Sequence, residues 1–211
     1  MNKTFNYILG TLAVLLVVYF SLDIENLQEH LAKTTKISFN ADKYAALFWD
    51  DELPESIAAA TPVTILLENL EAGPAEAFKK YGRKLGISKT YYFMVKGSGT
   101  IKSVEDDYLQ VAVNDKTDIR IATGFIFGNA VRDGSGQVDI NTFLNMTDFN
   151  NVSVAIDNLV KEKVIPGLKR TAAPGKQLVF AGAAEIQEDQ INLDSLRIIP
   201  VQAIVSDGKT E

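Results

Sequence analysis

The 211 residues contain no cysteine, one histidine and one tryptophan. Without cysteine there is no disulfide, no thiol nucleophile, no thiolate metal site and no N-terminal cysteine to carry a lipid. The redox compartment stays open, because a core of ordinary size holds together without disulfides. The lone histidine, His30, follows an apolar run and precedes the folded part, so it reads as solvated and not as a metal ligand. Basic residues are the scarcer charge. Lys and Arg number 21 against 27 Asp and Glu, a net charge of −6, and the phosphates of nucleic acid are repelled by it at long range. Phosphate and calcium loops are missing too. Gly134-Ser135-Gly136 is followed by no Lys-Ser/Thr pair. A calcium loop counted from Asp133 has Val138 where Gly is required and Leu144 where Glu is required. No cofactor or metal is expected.

One long apolar run is present. Phe5 to Leu22 has Lys3 before it and Asp23, Glu25 and Glu29 after it. As a helix it spans roughly 27 Å, enough for a bilayer core. A cleaved signal peptide ends in small residues, and Tyr19 stands where one is needed. The expectation is an uncleaved signal anchor at 5–22, with residues 1–4 cytoplasmic and the domain in the periplasm or an equivalent space. Residues 23–39 form a linker with Ile24, Leu27 and Leu31 at helical spacing. The remainder, 40–206, is one soluble domain, with 207–211 a frayed tail.

Within it, residues 40–86 read as short helices. Asn40 fits an N-cap, and Pro54, Pro62 and Pro74 each suit a first helical turn. From residue 90 to 205 the pattern alternates. Strands are expected over Thr90–Val104, Tyr108–Val113 and Asp118–Val131, the first interrupted by Gly97 and Gly99. Arg132–Gly136 reads as a loop. Val152, Ile156, Leu159, Val160 and Val164 then mark an amphipathic helix that Pro166 kinks or ends. Two strands follow, Lys176–Ile186 and Ile191–Val205. Three strands, a helix and two strands, the first long and bent by glycine, is the order of an OB-like five-stranded barrel with a helix between strands three and four. The expected fold class is therefore α+β. A generic α+β sandwich is the alternative.

Five segments, FNADKYAALFWDDELP, KKYGRKLG, VKGSGTI, TGFIFGNAVRD and FLNMTDF, carry a resemblance over about 38–204. The chain resembles a bacterial family of predicted periplasmic lipoproteins of uncharacterised function. The resemblance implies an envelope location. It also implies a link to solute uptake, since genes of that family often lie near sugar transporters. This chain departs from the family in lacking the lipid-bearing cysteine; the apolar helix would replace the lipid as tether.

Four polar residues cluster beyond the third strand: Arg132, Asp133, Asn145 and Asp148. At a barrel mouth, an Arg fork with Asp and Asn partners suits a carboxylate, phosphate or sugar hydroxyls. The competing reading pins Arg132 to Asp133 or Asp148 and has Asn145 or Asp148 cap the helix. Trp49 beside Asp50 and Asp51 suits a sugar ring, or else packs between subdomains. Lys79, Lys80, Arg83 and Lys84 suit anionic lipid headgroups, or else complement a helix C-terminus. The expected function is a non-enzymatic, membrane-anchored binding or accessory module, whose partner is a transporter component or a small sugar-like ligand. An envelope hydrolase is the alternative, and it requires two converging carboxylates. An oligonucleotide-binding barrel is a third reading; Tyr108 and Arg120 fit it, but no basic stripe accompanies them.

Overall fold

The computed structural model describes residues 39–207. The expected anchor at 5–22, most of the linker, His30 and most of the tail lie outside the described residues. No described helix is long and apolar enough to cross a membrane.

The chain enters α1 (Ala41–Leu47), capped by the Asn40 side chain accepting from the amide of Lys43 at 2.8 Å. A π-helical turn (Phe48–Glu52) carries it into α2 (Leu53–Ala58). Pro54 thus sits inside one continuous helical path. A proline in a helix removes an N–H and crowds the carbonyl four residues back, and the wider π turn just upstream accommodates both. The same device recurs later. Helix α6 (Met146–Leu159) passes through a π turn (Val160–Val164) into α7 (Ile165–Thr171), with Pro166 at its start. Pro166 therefore does not end the helix.

Between these paths come the two-residue strand β1 (Thr61–Pro62), α3 (Val63–Ala72) and α4 (Pro74–Tyr81). The barrel follows, from β2 (Thr90–Val104), β3 (Tyr108–Ala112), β4 (Asp118–Ala122), β5 (Gln177–Gln187) and β6 (Arg197–Ser206). The order is β1-β2-β3-β4-β6-β5, and β5 pairs back onto β2 to close it. Only β4–β6 within the barrel is parallel. Strand β2 serves two neighbours, β5 through Thr90–Thr100 and β3 through Thr100–Val104. The corner needs Gly99, because a Cβ there would collide with the Ala112 carbonyl oxygen.

Inward residues alternate along each strand and are sealed: Val95, Ile101, Val111, Ile119, Ile121 and Ile198 are all 0% exposed. Leu168 of α7 and the apolar faces of α3 and α4 join this core. On the outside of β2 and β5 lies a short helix, α5 (Ala130–Ser135), buried along its whole length. Small residues let it approach; a Cβ on Gly134 would lie 3.5 Å from that of Ala183.

Three expectations are corrected. The third barrel strand stops at Ala122, not Val131, because the amides of Thr123 and Gly124 both turn to the Asp107 carbonyl (2.8 and 2.9 Å). Arg132–Gly136 is not a loop, since residues 130–135 form α5. The last strand begins at Arg197, not Ile191, after a 3-10 turn at Leu193–Ser195.

Candidate functional site

Arg132 and Asp133 occupy the interior of α5. Arg132 is 2% exposed and Asp133 8%. The guanidinium grips its neighbour with two parallel bonds, Nε to Oδ1 at 2.6 Å and Nη2 to Oδ2 at 3.1 Å. A third donor reaches the Phe149 carbonyl at 3.0 Å, and the fork lies 3.5 Å from the centre of the Phe149 ring. This geometry pins α5 to α6. Asn145 and Asp148 lie apart from it, as the start of α6. The Asn145 side chain accepts from the Asp148 amide and donates to its carboxylate, both at 2.8 Å, a reciprocal N-cap.

Trp49 is half-buried in the first π turn. Lys163 of the second π turn lies over its ring at 5.5 Å and pairs with Asp50 at 3.6 Å. Trp49 therefore meets the second long helix. Lys79, Lys80, Arg83 and Lys84 are all exposed. Lys79 and Lys80 end α4, where cations complement the helix dipole. Lys80 and Lys84 lie over Tyr81 and Tyr91.

A groove of about 370 Å³ opens elsewhere, on the outer face of β5 and β6. Ladder register builds it. Ala183 pairs with Ile199 and Ala184 with Ile198. The next residues outward, Glu185 and Arg197, therefore become neighbours on the outer face. Gln190 and Asn192 of the β5–β6 loop form one wall, and Phe127 with Gly128 forms the other.

The Phe127 wall belongs to a tense loop. Phe125 has φ 50°, a left-handed conformation that costs a bulky residue about 1–2 kcal/mol. Arg197 holds it, its Nη2 donating to the carbonyls of Gly124 and Phe125, both at 2.9 Å. Ile126 is buried, while Phe125 and Phe127 stand 72% and 68% exposed. Two aromatic rings held in water by a strained, clamped turn are not explained by packing.

Charge is concentrated behind the groove. Partial burial pushes the Glu185 carboxyl up, and the Asp133 carboxylate adds to the effect. Asp157 of α6, almost fully buried, is raised to about 6, mainly by loss of water; Lys161, Arg132 and Arg197 act against the rise. Burial lowers Arg197, and Asp107, Asp157 and Glu185 oppose that. Tyr92, which pairs with Glu185 across the β2–β5 ladder, has its phenol raised by burial and by Glu185.

The groove thus presents one aromatic face, one carboxylate, one guanidinium and the three primary amides of Gln187, Gln190 and Asn192. That set suits a polar ring with hydroxyl groups. Among the described residues no cluster of three or more His, Asp or Glu is placed to hold a metal. Sequence reading missed Glu185, Arg197 and Phe127 as site residues. The available signal was in TGFIFGNAVRD, where two phenylalanines bracket an isoleucine.

A family model described as "Predicted periplasmic lipoprotein" matches residues 12–203. No curated protein matches the chain. The crystal structure of an OB-fold protein from Thermotoga maritima superposes with a TM-score of 0.73 at 23% identity, covering 81% of this chain and 100% of the other. At that identity the likeness shows the fold, and the barrel is an OB-fold.

Proposed function

The chain belongs to the predicted periplasmic lipoprotein family, and from that premise we propose that it is an extracytoplasmic binding module whose groove takes a small sugar-like ligand. The observation that carries this reading is the convergence of Phe127, Glu185, Arg197, Gln190 and Asn192 on one open groove. An exposed ring offers a face for stacking on the apolar side of a sugar. Carboxylate, guanidinium and amides offer donors and acceptors to its hydroxyls. The groove has one carboxylate, because Asp133 is spent on Arg132, whereas glycoside hydrolysis uses a pair. The reading is therefore binding and not turnover.

Full-length protein in detergent, titrated calorimetrically with neutral and acidic mono- and disaccharides, tests it. Saturable binding by at least one sugar, lost in Phe127→Ala, is expected. No binding across the panel, or binding that survives both Phe127→Ala and Asn192→Ala, overturns the reading.

An accessory role in solute uptake is the second reading, favoured by the strained and exposed Phe125 ring outside the groove lining. It predicts co-purification of a transporter permease from native membranes, lost in Phe125→Ser. The apolar run at 5–22 is the proposed tether. Retention of the protein in membranes through an alkaline wash, and its release when 5–22 is deleted, supports that; release of the intact protein refutes it.

A further inference from the structure

The proposed ligand class can be narrowed by following the ladder one strand beyond the groove. Arg197 of β6 is the Cα partner of Arg120 of β4, and the Arg120 amide donates to the Leu196 carbonyl at 2.8 Å. Ile119 and Ile121 point into the core, so Arg120 points outward, as Arg197 does. Two guanidinium side chains thus start from adjacent positions on one face. Like charges directly opposite in a sheet destabilise it, and here no protein group offsets the second one. Arg120 makes no ion pair among the described residues. Its Nε is buried without a hydrogen-bond partner. Asp118, on the same face two residues earlier, is held by Lys102 at 2.9 Å and by Gln110 at 3.3 Å. Arg120 instead lies over the Tyr108 ring, its guanidinium carbon 4.9 Å from the ring centre.

We propose that Arg120 and Arg197 together seat an anionic substituent, carboxylate or phosphate, of the sugar held in the groove. This rests on the groove reading above. Arg197 already answers Asp107, Asp157 and Glu185 and spends one nitrogen on the loop carbonyls, so Arg120 supplies the unspent charge. Its planar fork matches either oxyanion. Glu185, at the far side of Arg197, then faces the hydroxyl end of the sugar, and it disfavours an anion placed there.

Glucose, glucuronate, glucose 6-phosphate and inorganic phosphate, each titrated against the full-length protein, form the test. At least one of the two acidic sugars is expected to bind about tenfold to a hundredfold more tightly than glucose, and the better one identifies the anion. Arg120→Met, which keeps the stem over Tyr108, is expected to erase that advantage and leave glucose unchanged. Arg120→Lys, which keeps the charge without the fork, is expected to retain part of it. Equal affinity for glucose and both acidic sugars, or an advantage that survives Arg120→Met, overturns the anion seat while leaving the groove reading intact. Inorganic phosphate binding as tightly as the acidic sugars also overturns it, by uncoupling the anion from the groove. If nothing in the wider sugar panel binds, the groove reading itself fails.

Discussion

Arg132 is sealed between α5 and α6 with its fork on Asp133 and a carbonyl of α6, whereas Arg197 stands at a groove with one nitrogen on two loop carbonyls and Glu185 beside it. The two arginines have similar neighbours in kind. They differ in what is left over. The sealed fork has its carboxylate in bidentate contact and an aromatic ring across its face. The open one holds a strained turn through Nη2 alone and has no carboxylate in bidentate contact among the described residues. An arginine's use is read from its unspent donors, not from its proximity to acids.

Breaking the sealed pair should give the largest effect. Arg132→Met strands the Asp133 carboxylate in a nearly dry site, and removal of one member of a buried pair destabilises by about 3–5 kcal/mol. Urea unfolding of the full-length protein measures it. Replacing both partners, Arg132→Met with Asp133→Leu, should recover most of the loss. Arg197→Met should unfold far more easily reached structure, the Phe125 turn, and abolish ligand binding at a smaller cost in global stability. Equal destabilisation by both single variants would erase the distinction between the two arginines.

Asp157 sharpens the comparison, because it lies within electrostatic reach of both. Its carboxyl is raised from 3.8 to about 6 by burial. A raised acid prefers to be protonated in the folded state, so it costs no stability below about pH 4 and its penalty grows as pH rises through 6. Asp157→Asn should therefore be more stable than the parent by about 2 kcal/mol at pH 8, after allowance for residual solvent screening. The difference should vanish near pH 4. Unfolding curves across that range decide it; a variant less stable than the parent at pH 8 would mean that Arg132 or Arg197 depends on this carboxylate.

Much of the fold was legible because it is written in short-range pattern. Alternating apolar residues marked β2 and β3, and the Val152–Val164 spacing marked α6. The OB-fold order followed from counting strands around one helix. The end of β4 was not legible, because it is set by a carbonyl of Asp107 that only the folded barrel brings to Thr123 and Gly124. The candidate site was illegible for the same reason. Arg132-Asp133 drew attention as a dense polar pair, yet its density reflects mutual satisfaction. Glu185 and Arg197 become neighbours only through the β5–β6 register, and Arg120 is set beside Arg197 only by the parallel β4–β6 pairing.

The strained turn offers a smaller test of the open side. Phe125→Gly relieves the left-handed conformation, so stability should rise by roughly 1 kcal/mol at most, reduced by the extra freedom of glycine when unfolded. Sugar affinity should fall together with it, because a looser turn no longer holds Phe127 against the groove. A denaturation curve paired with a titration reads both. Rising stability with unchanged affinity would separate the strain from the site.

The smallest effect belongs to the pair of π turns, where a charge is shared in the open. Lys163 is 44% exposed and Asp50 68%, and exposed pairs contribute about 0.2–1 kcal/mol. Lys163→Met should therefore change unfolding free energy by less than about 1 kcal/mol, against several for Arg132→Met, although both remove a cation from a carboxylate and an aromatic ring. Trp49 is the only tryptophan in the chain, so its emission isolates this contact. A shifted emission with nearly unchanged stability is the expected result. A loss as large as that of Arg132→Met would show that the junction of the two helical paths, and not the buried pair, carries the helical layer.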